Sequence, residues 1–307
     1  MQLDQLKRVS QKPSVLEITS EEPGAGKTHL LYLLAAIAVL PRSHAGLALN
    51  GMHSTIVVLD TDNRFCVQRL VQIMRHYIER QCKNHPDNIS ANPNETSKPS
   101  LDEATTSYLI STSLQHIHIF RPQSLPSLLA NLSSLPTYLL TPTDHHSSPR
   151  SLHSILLDSA TAFYWNHRAA EETISQPQPT YPHLIHTLHD LALRFSCPII
   201  ATTTSPFALS ASSAAEAGVG FRPPASRQRP FMPRSWSEFV GVRLVVARAA
   251  VPRFALGLSV EEALVERGVR QREVGKGRFV AVVAGAGSGD GGGGFGFRIG
   301  EEGVDVE

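Results

Sequence analysis

Short apolar runs alternate along the chain with amphipathic stretches, the pattern of doubly buried strands separated by helices. Residues 14–19 (SVLEIT) predict a first strand, followed by a turn and an apolar helix from 28 to about 40. Residues 55–60 (TIVVLD) predict a second strand. From 64 to about 80, Val67, Leu70, Val71, Met74 and Ile78 recur at three- and four-residue spacing, which predicts an amphipathic helix. A third strand at 116–120 (HIHIF) precedes a helix over 126–135, and a fourth lies at 153–158 (HSILLD). A fifth, 198–203 (PIIATT), follows a helix over 183–195, and 242–248, 278–283 and 294–299 predict late strands. The alternation predicts an α/β fold with a mostly parallel, twisted sheet flanked by helices.

Four stretches break the pattern, near 83–100, 141–150, 205–235 and 285–296. They are polar and rich in Pro, Ser or Gly, and read as surface loops. The expectation is an N-terminal segment over 1–12 and a single domain over 13–307, because the late strands continue a sheet rather than open a new one.

Composition narrows the classes. With 41% hydrophobic residues over 307 positions the chain can fill a core, which excludes wholesale disorder. Lys and Arg number 28 against 27 Asp and Glu, a formal charge of +1, so anion binding must come from local clusters. Cys66, Cys82 and Cys197 are widely spaced, which predicts a reducing compartment and no disulfide framework. The longest apolar run, 30–40, is shorter than the roughly 20 residues of a membrane helix. The first 13 residues lack the apolar stretch of a signal peptide. These features predict a soluble intracellular protein with no membrane partner.

The sharpest chemical signal is Pro23-Gly24-Ala25-Gly26-Lys27-Thr28, with a strand before it and a helix after it. In a P-loop, glycines let backbone N–H groups converge on phosphate oxygens at a helix N-terminus. Lys27 would reach the β- and γ-phosphates of ATP, and Thr28 would take a place on Mg²⁺. The full pattern wants glycine at position 21, where this chain has Glu21, followed by Glu22. Asp158 ends the apolar strand SILLD, where a Mg²⁺-holding aspartate belongs. Asp62 lies just past TIVVLD and has two readings, an orienter of the attacking water or a member of an Asp60-Thr61-Asp62-Asn63 turn cap.

These residues together resemble the RecA/recombinase ATPase family, and within it the eukaryotic recombinase paralogs of the X-ray repair cross-complementing group two type. The matching stretches are PGAGKTHLLYLLA, VVLDTDNRFCVQRLV, LHSILLDSATAFYW, PIIATTT and FGFRIGEEGVDVE. The resemblance implies a RecA-like ATPase core without the helical N-terminal domain of full recombinases. It further implies homologous-recombination repair in the nucleus, beside other RecA-family paralog subunits, with single-stranded or branched DNA as a partner. By the same resemblance Gly24, Ala25, Gly26, Lys27 and Thr28 bind ATP, Thr28 and Asp158 hold Mg²⁺, and Asp62 is the catalytic candidate. Three departures imply weak hydrolysis: Glu21 replaces a glycine, and Thr204 stands near a γ-phosphate-sensing glutamine. Asp62 stands where active recombinases carry a glutamate, one methylene (about 1.5 Å) longer, a large displacement against catalytic tolerances. Two alternatives stay open, a competent DNA-stimulated ATPase and a non-hydrolysing scaffold with a vestigial P-loop.

Arg222, Arg227, Arg229 and Arg234 follow the fifth strand, where RecA-like proteins carry a DNA-facing loop; Arg243, Arg248 and Arg253 extend the run. Such side chains neutralise phosphates, and Phe221, Phe231 and Trp236 between them could stack on unpaired bases. An Arg-biased loop with no ligand is the other reading. His183, His186 and His189 drift around their helix, so a solvated face accounts for them better than a metal does. Tyr164-Trp165 reads as core, unless the tryptophan is exposed.

Overall fold

The computed structural model describes residues 14–84, 101–141, 143, 145–171, 180–204, 232–249, 257, 259–284 and 294–307. The segment 1–12, most of the expected loops, and Arg222, Arg227, Arg229 and Arg253 lie outside the described residues. The first half runs β1 (Val15–Ser20), α1 (Lys27–Val39), β2 (Ser43–His44), β3 (Leu47–Ala48), β4 (Thr55–Asp60), α2 (Val67–Lys83) and α3 (Glu103–Leu114). Then come β5 (Ile117–Phe120), α4 (Leu125–Leu140), β6 (Leu152–Asp158), α5 (Tyr164–Glu171), α6 (Tyr181–Phe195) and β7 (Ile199–Thr204). The last part holds α7 (Arg234–Phe239), β8 (Val242–Arg248), α8 (Val260–Gly275), β9 (Arg278–Val283), β10 (Gly294–Ile299) and β11 (Val304–Val306).

Nine strands form one sheet in the order β11-β10-β9-β8-β1-β7-β6-β4-β5. The six from β8 to β5 run parallel, and β9, β10 and β11 extend the sheet as an antiparallel meander. The mostly parallel α/β sheet expected from the alternation is therefore present. β2 and β3 pair separately as a small hairpin.

Both faces of the parallel strands are covered, which explains why TIVVLD reads as a continuous apolar run. Ile56 and Val58 pack with Leu31, Ala35, Leu70 and Met74 of α1 and α2 on one side. Val57 and Leu59 pack with Leu128 and Leu132 of α4 and Leu184 and Leu188 of α6 on the other. α1 is buried on nearly every side, consistent with its unbroken apolar sequence. Six parallel strands bring the turn after β1 and the ends of β4, β6 and β7 to one edge of the sheet, where open α/β sheets bind ligands.

Several elements depart from the pattern-based expectation. α2 begins at Val67 rather than 64, because the Asp60 carboxylate accepts from the backbone N–H of Arg64 (2.9 Å) and Phe65 (3.0 Å) and holds them in a turn. α4 runs on to Leu140 through the buried Pro136. The segment near 141–150 is not wholly a surface loop. Ser147 is buried, and its hydroxyl lies 3.0 Å from His116 Nδ1 and 2.9 Å from His118 Nε2. α3, α5, α7, α8, the β2–β3 hairpin and β11 add to the expected elements.

Candidate nucleotide-binding site

The site begins where β1 leaves the sheet. Gly24 (φ 75°) and Gly26 (φ 90°) occupy left-handed conformations that cost glycine little. At Gly26 glycine is also needed for space, since a Cβ would stand 2.8 Å from Ile299 Cδ1 and 3.1 Å from Phe297 Cε2. β10 therefore backs the turn directly. Gly26 also caps α1: its carbonyl accepts from Leu30 N at 3.1 Å, no side chain caps the helix, and no acid sits in the first turn. The first-turn N–H groups and the positive end of the helix dipole are left for an anion. Ala25 is buried, Glu21 is half-buried and Glu22 is exposed.

Lys27 Nζ donates to Ser20 Oγ and, over 3.1 Å, to Thr204 Oγ1. Ser20 and Thr204 face each other in register on β1 and β7. Thr28 Oγ1 donates to Asp158 Oδ2 at 2.8 Å, and Thr202 Oγ1 donates to Asp158 Oδ1. Both oxygens of this buried carboxylate are thus satisfied, as burial of a charge requires. Desolvation pushes the Lys27 pKa down, opposed by the carboxylates of Asp158 and Asp62. For Asp62, desolvation and then the Asp158 charge push the pKa up, against the pull of Arg64.

The two readings of Asp60–Asn63 divide between residues. Asp60 is the turn cap: beyond the two backbone N–H groups it binds Arg121 Nε at 3.2 Å. Thr61 is a clasp, its hydroxyl donating to the Ser159 carbonyl (2.7 Å) and accepting from Ser159 N (2.6 Å). Tyr32 steadies the same segment from α1 by accepting from Cys66 N at 2.8 Å. Asp62 is left exposed beside Lys27 and Asp158. Gly24, Ala25, Gly26, Lys27, Thr28, Asp62 and Asp158 are all brought together at one edge of the sheet.

The arginine run is not one unit. Arg243 turns to the buried Glu17 in an ion pair, and the Arg248 guanidinium lies 5.1 Å from the centre of the Phe279 ring. Arg234 remains at the surface, paired with Glu238 one helical turn away at 2.8 Å. Tyr164 is buried, while Trp165 is 52% exposed. His183 and His186 are exposed on α6, with His186 Nε2 3.3 Å from Asp190.

Sequence reasoning missed Ser20, Thr202 and Arg121, and placed Thr61 in the turn without its partner Ser159. Ser20 and Thr202 become visible only once β7 is known to lie between β1 and β6, which is a matter of strand order. The carboxylate of Asp60 and the threonine beside it were signals for the turn, but their partners lie 61 residues away at Arg121 and 98 away at Ser159.

The residues present fit a magnesium nucleotide. The turn has open space where a Cβ at Gly24 would stand, an amine follows it, and a hydroxyl–carboxylate pair lies one residue on. A central parallel strand with this turn and an aspartate two strands across define the class, a RecA-like α/β fold. No protein-family profile matches the chain. DNA repair protein XRCC2 from Mus musculus is 26% identical over 240 residues, covering 76% of this chain and 73% of the relative. The DNA repair protein XRCC2 homolog from Arabidopsis thaliana is 23% identical over 266 residues, covering 77% of this chain and 69% of the relative. These relatives bear out the resemblance to recombinase paralogs of the group two type. Among the described residues no helix is long and apolar enough to cross a membrane.

Proposed function

We propose that this chain binds ATP with Mg²⁺ at residues 23–28 and acts in the nucleus, as one subunit of a recombinase-paralog complex, in double-strand break repair. The relatives, both named as DNA repair proteins, support a role in homologous-recombination repair as a RecA paralog. The observation that carries the nucleotide reading is the meeting of Lys27, Thr28 and Asp158 at the carboxyl edge of the sheet. The N–H groups of the turn and the α1 N-terminus would hold the phosphates, with Lys27 adding a point charge. Thr28 and Asp158 would hold Mg²⁺, Asp158 through a water. When bound, the magnesium nucleotide supplies a phosphoanhydride bond and a cation that neutralises the phosphate charge.

Asp62 is the nearest candidate for orienting a water, but its short side chain argues for slow turnover. Binding rather than hydrolysis is then the working property of the site. The paralog complex would assist loading of the main recombinase on single-stranded DNA. Arg222, Arg227, Arg229 and Arg234 would supply phosphate contacts, the surface pair with Glu238 being cheap to open.

Titration with ATP in a calorimeter tests the reading. Lys27→Ala should weaken binding at least tenfold, about 1.4 kcal/mol. One observation favours the scaffold alternative, in which the P-loop is vestigial. Lys27 and Asp158 already have hydrogen-bond partners within the chain, Ser20 and Thr204 for the amine and Thr28 and Thr202 for the carboxylate. Wild-type protein that binds no nucleotide would establish that alternative.

A further inference from the structure

Two strands separate β10 from β1 in the sheet, yet side chains of β10 reach the turn that β1 feeds. The Cα of Gly26 faces Ile299 and Phe297 so closely that a Cβ there would stand 2.8 Å from Ile299 Cδ1. Phe297 is fixed in place, buried and stacked on Phe279 with ring centres 5.3 Å apart. The left-handed backbone at Gly24 and Gly26 is cheap for glycine, but glycine also gives the turn other shapes to adopt. An outside surface is needed to select one of them, and β10 supplies it.

The hairpin of β10 and β11 is gripped in turn by α2. Arg69, His76 and Arg80 stand seven and four residues apart, along one side of that helix. Arg69 donates to the carbonyls of Gly300 (2.5 Å) and Glu301, in the bend between β10 and β11. His76 Nε2 lies 3.0 Å from Asp305 Oδ1 on β11, and Arg80 Nη1 donates to the same oxygen over 3.2 Å. Arg69 has a second attachment: its Nε donates over 3.4 Å to Nε2 of His29, the residue after Thr28. Burial and the Arg69 charge push the His29 pKa down, so the imidazole is neutral and can accept. One guanidinium thus ties the first turn of α1 to the hairpin.

We propose that the β10–β11 hairpin is the positioning element of the phosphate turn. Ile299 and Phe297 hold Gly26 in its left-handed shape from behind, and Arg69 is the positioning residue that fastens the hairpin to α1. The ordering of the turn is a property of the nucleotide-free chain. Its effect on ATP rests on the proposed nucleotide binding.

Hydrogen exchange in the nucleotide-free full chain tests the first part, read at the Leu30 amide, which donates to the Gly26 carbonyl over 3.1 Å. Phe297→Ala would open the core, so the variants are Ile299→Ala and Arg69→Gln, both at half-buried positions. Val283→Ala, at a half-buried position of β9 against the same core, controls for lost packing. Ile299→Ala and Arg69→Gln should each speed exchange at Leu30 about fivefold and leave β4 and β6 at wild-type rates, and Val283→Ala should leave Leu30 unchanged. Calorimetry should show each of the two weakening ATP binding in magnesium about threefold. Exchange at Leu30 that neither variant changes, or that Val283→Ala speeds as much, overturns the proposal. Faster exchange with undiminished ATP affinity also overturns it, because the order of the turn would not matter to the ligand. A wild type that binds no ATP would defeat the nucleotide reading alone, and the exchange rates would still decide whether the hairpin orders the turn.

Discussion

The hydroxyl of Thr28 donates to the carboxylate of Asp158 over 2.8 Å. Asp158 ends β6, and Thr28 lies in the first turn of α1, the helix that follows β1; β7 lies between β1 and β6 in the sheet. Thr202, on that middle strand, holds the second oxygen of the same carboxylate. The aspartate is therefore aimed at the first turn of α1 without needing a ligand to orient it.

Thr28→Val keeps the shape of the side chain and removes its oxygen. Affinity for ATP in the presence of a chelator should change less than twofold. Affinity for ATP with Mg²⁺ should fall about tenfold, or roughly 1.4 kcal/mol, if the hydroxyl is the group that meets the cation, as proposed. Calorimetric titrations with and without magnesium separate the two. Equal affinities for variant and wild type in magnesium would remove Thr28 from the cation site.

Turnover tests the aspartate at position 62. Wild-type protein should hydrolyse ATP slowly, and Asp62→Glu should preserve or raise the rate by carrying the carboxylate about 1.5 Å further toward the phosphates. Because desolvation and Asp158 raise the Asp62 pKa, the ionised fraction falls earlier on acidification than for an isolated aspartate, and any rate it supports falls with it. A phosphate-release assay decides the matter. A fast wild type that Asp62→Glu cripples would mean the geometry is already built around aspartate.

The parallel strands and the glycine turn before α1 were legible because each rests on local signals. TIVVLD and SILLD are apolar enough to be buried on both faces, and GAGKT sits between a strand and a helix. What escaped was set by distant partners or by weak patterning. α3 (EATTSYLISTSL) is dense in Ser and Thr, which compete for backbone hydrogen bonds, and it forms on an Asp102 cap that accepts from Thr105 N at 3.3 Å. α8 shows no inward apolar stripe, so periodicity could not place it. Arg243 looked like one more cation in a basic run because nothing in the neighbouring sequence reveals Glu17, which is 226 residues away. His116, His118 and Ser147 likewise come together only in the fold.

That histidine network predicts a pH dependence. His116 and His118 are buried, and burial pushes both pKa values down to about 4. Neighbouring Arg150 adds to the effect at His116 and His145 at His118. In the unfolded chain both would titrate near 6.5, so between about 6.5 and 4 the unfolded state binds more protons than the folded one. Stability is full above 6.5 and is lost as the pH falls through that window. The melting temperature should be level from pH 7 to 8 and decline from 6.5 downward. The interval from 6.5 to 5 is the diagnostic one, since few carboxylates titrate there. Replacing both residues with glutamine should flatten the decline over that interval, and a slope that stays the same in the double variant would assign the effect to other groups.

Glu17 makes the sharpest stability prediction. It sits in the middle of β1, almost wholly buried, and accepts from Thr203 Oγ1 (2.9 Å), Trp236 Nε1 (3.0 Å) and Arg243 Nε. One carboxylate thereby joins β1, β7, α7 and β8. Glu17→Leu would leave the guanidinium of Arg243, itself only 25% exposed, without its counter-charge, and would orphan the indole N–H of the fully buried Trp236. Breaking a buried pair from one side costs about 3 kcal/mol or more, because the remaining charge stays desolvated. Urea unfolding should show a loss of that order with an unchanged dependence on denaturant concentration. Adding Arg243→Leu to Glu17→Leu should recover part of the loss, since two apolar side chains can replace an ion pair at little net cost. Glu17→Gln should fall between wild type and Glu17→Leu, because an amide oxygen can still accept from the indole while the charge is gone. If the double variant is instead as unstable as the sum of the two single ones, the two residues act independently, and the ion pair is not what holds α7 and β8 to the strand that carries the phosphate turn.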